Sequence, residues 1–378
     1  MNGPEGILVD HELEPHLEAW FPASPGAEGL PHAQVQPASL DLRLGPVAHR
    51  VLAGFLPGSG PVRQQVEELT SEVLDLTGDG AILERGCVYL VPLARGLRLP
   101  SGVRARFNPR SSSGRLDLFT RVLVGGHPRF DEAPAGWEGD LFLEVCPLSF
   151  PVRLRTGDRL CQVRLSRGRA ELSPEELRER AAAQPLCFLG DRPLGPDELR
   201  FDAEGGLELT VGFEGREPAG WRAAPFAPPV TFGAEGAHDS RTWFEPVQAP
   251  GGRCLLPPGS FHIFASRERL RVPPDLAAEM LPVDTGLGEL RNNYAGFFDS
   301  GFGWEEDAAG QPVGTGTPAV LEVRAHDVPF MVDDGQVFFR LKYLRTTGRP
   351  RALYGAGREA SSYRGQDLTL ARAFRREA

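Results

Sequence analysis

The residues best suited to chemistry stand together in Asn108-Pro109-Arg110-Ser111-Ser112-Ser113-Gly114-Arg115. Three consecutive hydroxyls, a glycine and two guanidiniums can form a phosphate cradle, in which backbone N–H groups and hydroxyls wrap an anion and arginine forks neutralise it. On composition alone, a solvated serine-rich turn is the commoner outcome. The setting favours function, because the stretch recurs 173 residues later in altered form as Val283-Asp-Thr-Gly-Leu-Gly288. One copy keeps a basic hydroxyl loop and the other has an acidic, glycine-rich one.

That recurrence belongs to a longer repeat. Gly86 to Pro109 aligns without a gap on Gly259 to Pro282 at the same offset of 173, and Leu143-Glu144-Val145 aligns on Leu321-Glu322-Val323 at 178. A weaker match sets Ser39 to Gly45 against Leu207 to Gly212. Three matches in order mark two copies of one module. Each copy is rich in strand patterns: Ser39 to Leu44, Leu141 to Val145 and Val152 to Leu154 alternate apolar and polar residues, with Gly86, Gly157, Gly259 and Gly335 at the turns between such runs. Helical signals are few. Asp10 to Trp20 sets Leu13, Leu17 and Trp20 on one face, and Ser173-Pro-Glu-Glu carries an N-cap serine, a first-turn proline and a capping-box glutamate. The second helix, Pro174 to Ala183, lies between the copies. Residues 217–252, dense in Pro, Ala and Gly, read as a long irregular insertion pinned by Trp221, Trp243 and Phe244. The apolar content of the tail after Thr347 predicts that it docks.

Composition sets the outer bounds. The chain has 378 residues, with 45 glycines and 35 prolines, a density that suits many short strands joined by tight turns. The net charge of −10 argues against a nucleic-acid binder. Lys342 is the single lysine among 41 basic residues, so any phosphate contact falls to arginine or backbone. No run of eighteen apolar residues suggests a membrane span and no signal peptide is evident, so the expected compartment is the cytoplasm. Cys87, Cys146, Cys161, Cys187 and Cys254 form no Cys-x-x-Cys pair and fit reduced thiols.

Gln36-Pro-Ala-Ser-Leu-Asp-Leu-Arg-Leu-Gly45, Arg110-Ser-Ser-Ser-Gly-Arg-Leu116 and Gly136-Trp-Glu-Gly-Asp-Leu-Phe-Leu-Glu144 resemble motifs of the dCTP deaminase family, which shares its fold with the trimeric dUTPases. Tyr294-Ala-Gly-Phe-Phe-Asp-Ser-Gly-Phe302 is similar to the hairpin motif of both enzymes, and Tyr354 with Ser362-Tyr-Arg-Gly-Gln366 to the tail that closes over the nucleotide. The resemblance touches most of the chain and is closest to the long, duplicated bacterial form.

The resemblance implies hydrolytic deamination of dCTP to dUTP and ammonia, supplying dUTP for thymidylate synthesis. Glu144 would be the general base, and burial among strands would raise its pKa in a way that suits a proton shuttle. Arg115 and Ser111 would orient the water and the ring. Arg110, Ser112 and Ser113 would hold phosphates, and Tyr354, Tyr363 and Gln366 would be lid contacts. Asp131 and Asp299 are the two candidates for the sugar-binding aspartate. A composite site, with the loop and Glu144 from one module and Asp299 from a second-copy module, competes with a self-contained site using Asp131. Ser362 stands where the family has a phosphate-binding lysine, for which Arg358 or Arg364 could substitute.

Zinc-dependent cytidine deaminases pair His-x-Glu with Pro-Cys-x-x-Cys; His16-Leu-Glu18 has no such partner, so no catalytic zinc is expected. His127 could contact substrate, although a turn histidine is the commoner case. Mg²⁺ would arrive with the triphosphate, and no protein metal site is expected. A dUTP diphosphatase or bifunctional enzyme is the first alternative, and a nucleotide-binding regulator without turnover the second. The expected architecture is mainly β, with two tandem dUTPase-like distorted barrels or jelly rolls and few short helices. Residues 1–170 form the first module, 171–199 a helical linker, 200–346 the second module and 347–378 the closing tail. The expected partners are dCTP and dUTP, with no nucleic acid or membrane, and a homo-oligomer is expected because strand edges and composite sites both need neighbours.

Overall fold

Strands form where the sequence alternates. Val103–Pro109 buries Val103, Ala105 and Phe107 and turns Arg104 and Arg106 outward. Leu141–Pro147 is buried along its whole length, so Glu144 is carried inside with it. The computed structural model describes residues 3–24, 34–58, 60–281, 290–292, 296–325, 327–356 and 367–375, and these are mainly β with few short helices.

The two halves repeat one another's pairings. In the first, Val103–Pro109 pairs with Cys161–Arg167 and Glu132–Ala133, while Leu141–Pro147 lies between Val88–Pro92 and Leu118–Val124. In the second, Leu276–Leu281 pairs with Val337–Arg345 and Phe297–Phe298, while Thr317–Ala325 lies between Phe261–Leu270 and Leu290–Asn292. Gly86 and Gly259, which precede equivalent strands, both take positive φ, 77° and 66°, where a side chain would be strained.

Pro174–Ala183 has the capping box that its sequence signals: the Glu176 N–H donates to Ser173 Oγ at 3.2 Å, and the Ser173 N–H to Glu176 Oε2 at 2.7 Å. Asp10 to Trp20 forms helical turns broken by a 3₁₀ segment that contains Pro15. The helix Val62–Leu69 was not anticipated, although Val62, Val66 and Leu69 carry helical spacing.

Residues 217–252 correct the sequence reading, since they carry strands rather than an irregular insertion. Gly220–Ala223 pairs with Phe244–Val247 and with Phe261–Leu270, and Val230–Thr231 crosses to pair with Val152–Leu154 of the first half. The chain end docks on this stretch, with Phe374 against Trp243 and Phe244 in the first-half core.

Two buried contacts join the halves. Arg164, on Cys161–Arg167, donates to the carbonyls of Ala278 and Phe298 and to Asp299 Oδ1 at 3.0, 3.3 and 2.9 Å, with its guanidinium over the Phe297 ring. Arg324 of the second half reaches Asp117, which also accepts the Ser149 hydroxyl at 2.6 Å.

Asp131 sits in the first-half hairpin, and desolvation pushes its carboxyl up to about 7 despite the hydrogen bond that it accepts from the Val122 N–H. A carboxyl with a folded pKa above its unfolded value costs stability once it ionises, so this group weakens the fold as pH rises from about 4 through 7. Asp131→Asn should therefore stabilise the protein against urea at pH 8 and have little effect near pH 4. An equal effect at both values would contradict this.

Candidate active site

The chain turns at the end of Val103–Pro109 into a single helical turn, Ser111–Gly114. The Ser113 and Gly114 N–H groups donate back to the Arg110 carbonyl, and the Arg110 N–H donates to Leu160. This turn presents Ser111, Ser112, Arg110 and Arg115 to a cleft whose other wall comes from the second half: Asp299, Phe302, Glu322 and Tyr354. Ser111 and Ser112 make no side-chain hydrogen bond among the described residues. Ser113 departs from its expected role. Its hydroxyl is fully buried and donates to the Leu160 carbonyl at 2.9 Å, so it holds the turn to the sheet and does not face the cleft.

Asp299 is buried and fixed from both sides, with Arg164 on Oδ1 and the Ser39 hydroxyl on Oδ2 at 3.0 Å. Phe302, directly after Gly301, packs on the ring of Tyr354, whose N–H donates to the Ser300 carbonyl. Arg115 is buried and donates to the Thr369 carbonyl at 2.6 Å, so the chain end crosses the loop. Tyr363 and Gln366, with Ser362, Arg358, Arg364 and the second-copy loop Val283 to Gly288, lie outside the described residues.

The structure does not bring Glu144 to this cleft. Its Oε1 accepts from Arg121 Nε at 2.7 Å, Arg121 lies over the Phe130 ring, and Gly54 approaches the other oxygen, which is buried without a hydrogen-bond partner. The cause is local. Residues 52–69 cover this face of the sheet, and Val62 and Val66 pack there with Leu90, Leu123 and Phe142. The carboxylate that faces the loop is Glu322, at the matching place in the second half. It is 3% exposed and lies against Gly114, where any Cβ would overlap it.

Asp131 is not brought to the cleft either. Ala133 pairs with Ala105 and Phe298 with Ala278, an equivalent register, so the first-half counterpart of Asp299 is Pro134. The extra residues that separate Asp131 from Trp137 place it three positions too early. His127 lines a different groove, with Arg104 and Arg129. Glu322 was visible in the sequence only as the partner of Glu144 in the repeat. Arg164 gave no signal, because its role is a contact between halves. Among the described residues, no group of three or more His, Cys, Asp and Glu side chains could hold a metal ion, and no helix is long and apolar enough to cross a membrane.

Comparison with known proteins bears on this geometry. Residues 4–169 match the N-terminal domain, and residues 173–374 the C-terminal domain, of 2'-deoxycytidine 5'-triphosphate deaminase. The crystal structure of 2'-deoxycytidine 5'-triphosphate deaminase from Agrobacterium tumefaciens superposes with a TM-score of 0.81 at 38% identity, over 92% of this chain and 99% of that one. A dCTP deaminase, dUMP-forming, from Methanosphaera stadtmanae is 30% identical over 132 residues, 34% of this chain and 64% of the relative's length. A dCTP deaminase from Natronomonas pharaonis is 27% identical over 177 residues, 44% of this chain and 88% of the relative.

The tight approach of Gly114 to Glu322 can be tested without turnover. Gly114→Ala should destabilise the protein by ~1–3 kcal/mol through overpacking, and in a Glu322→Ala background it should cost much less. Additive losses in this double-mutant cycle would contradict the contact.

Proposed function

The chain belongs to the 2'-deoxycytidine 5'-triphosphate deaminase family, and we propose that it hydrolyses dCTP to dUTP and ammonia in one composite site per chain. The observation that carries this reading is the meeting of Ser111, Ser112 and Arg115 from the first half with Asp299 and Glu322 from the second. The repeated pairings support a further part of it: each half is a dUTPase-like distorted barrel, arranged in tandem.

In this mechanism Glu322 takes a proton from water as the oxygen attacks C4 of cytosine. It passes protons to the ring and to the exocyclic nitrogen, and the C4–N4 bond breaks to release ammonia. Arg115 and Ser111 hold the water and the developing oxyanion, in a cleft where buried donors act more strongly than in bulk water. Asp299 holds the sugar, because Arg164 and Ser39 fix both of its oxygens and suit it to positioning rather than to proton transfer. A divalent ion enters with the triphosphate on phosphate oxygens. Glu322 replaces Glu144 as the proposed base, since the Glu144 carboxylate is spent on Arg121.

A second reading comes from relatives named dUMP-forming. In that reading a second water attacks the α-phosphate and releases pyrophosphate.

Incubation of the purified protein with dCTP and Mg²⁺, with nucleotides resolved by chromatography and ammonia assayed, tests these readings together. Ammonia and dUTP should appear, Glu322→Gln should lower the rate by roughly 10²–10⁴-fold, and Glu144→Gln should retain most of it. Loss of activity in Glu144→Gln alone would overturn the assignment of the base. Accumulation of dUMP and pyrophosphate would establish the bifunctional enzyme.

A further inference from the structure

The hydroxyl loop leaves the cleft through Asp117, which is held in an unusual way. It is fully buried and takes a φ of 54°, in the left-handed region that few residues other than glycine adopt. Such a conformation persists only where its surroundings hold it. The Asp117 N–H donates to the Gly114 carbonyl at 2.9 Å, and its carbonyl accepts from the Leu148 N–H at 3.0 Å. The backbone of Asp117 is thereby tied to the glycine that Glu322 lies against.

The Asp117 carboxylate accepts from Arg324 and from the Ser149 hydroxyl, the latter at 2.6 Å. Arg324 is largely buried and also donates to the Gly259 carbonyl of its own half. It stands two positions past Glu322 on Thr317–Ala325, so the two side chains leave the strand on one face. Glu322 meets the loop at Gly114, and Arg324 meets it three residues on, at Asp117. One contact fixes a point, whereas two at this spacing fix the register between loop and strand. The repeat shows that the fold does not itself require the guanidinium. Cys146 occupies the matching place two positions past Glu144, and that glutamate is turned to Arg121. The arginine is thus present on the strand whose glutamate faces the loop and missing from the other. A guanidinium fork on a buried carboxylate sets distance and angle more tightly than an apolar contact does.

Taking Glu322 as the base and Ser111 and Arg115 as the groups that hold water and oxyanion, on which this step rests, we infer that Arg324 is a positioning residue for the reaction. Through Asp117 it sets the distance between the Glu322 carboxylate and the Ser111 and Arg115 donors. Neither Arg324 nor Asp117 lines the cleft. Nucleotide binding therefore does not draw on the pair, whereas the chemical step, which depends on that distance, does.

Arg324→Met, Asp117→Asn, the double variant and Arg324→Lys test this. Breaking a buried pair from one side can prevent folding, and the double variant, which removes both charges, keeps the test open in that case. In the double variant kcat for dCTP should fall at least about tenfold while KM stays within about twofold. Each single variant that folds should lose as much, because the pair acts as a unit, and Arg324→Lys, which keeps the charge, should recover part of the rate. Amide hydrogen exchange over residues 110–117, followed without nucleotide, should speed up in the double variant while Leu276–Leu281 stays protected. Wild-type kcat with wild-type exchange would overturn the inference, as would a rise in KM with kcat unchanged. If wild type turns over no dCTP yet exchange over the loop rises in the double variant, the positioning contact stands and the deaminase reading falls.

Discussion

One buried guanidinium sets the relation between the two halves. Arg164 leaves the first-half sheet and spends its donors on Ala38, Ala278, Phe298 and Asp299, three of them in the second half. An arginine at 2% exposure is tolerable only with such a complete set of acceptors, and removing one partner of a buried pair generally costs about 3–5 kcal/mol. Because the second-half acceptors are two backbone carbonyls and the aspartate of the hairpin, the same contact that joins the halves also fixes Asp299 at the cleft. The Asp117–Arg324 contact does the equivalent work just past the hydroxyl loop, holding it against the strand that carries Glu322.

The two copies have divided one site between them. The first keeps the hydroxyl loop, has Pro134 at the position that corresponds to Asp299, and has its glutamate tied to Arg121 under residues 52–69. The second keeps Asp299 and Glu322 facing the loop of the first. Each loss in one copy is matched by a retained group in the other. Since loop and carboxylates meet inside a single chain, a composite site no longer requires a second chain.

Much of this was legible in the sequence, in proportion to how local the cause was. The capping box at Ser173, the strand alternation and the 173-residue offset each depend on neighbours in the chain and reappear in the structure. The pairing of the first-copy loop with Asp299 could be anticipated from which motif each copy had preserved. The identity of the facing glutamate could not, because a repeat offset shows that Glu144 and Glu322 are equivalent without showing which loop each one meets. Asp131 stood beside Asp299 as a candidate because sequence spacing cannot tell an aspartate in register from one displaced by three residues; the pairing of Ala133 with Ala105 makes that distinction. Residues 217–252 looked irregular because their strands are only two to four residues long and one of them, Val230–Thr231, finds its partner in the distant Val152–Leu154.

The central claim is that two modules make one working site. Calorimetric titration of the Glu322→Gln protein with dCTP, in the presence of Mg²⁺, measures it directly as the number of nucleotides bound per chain. One nucleotide per chain is expected. Two equivalent nucleotides per chain would mean that the first-copy glutamate serves a site of its own, and would contradict it.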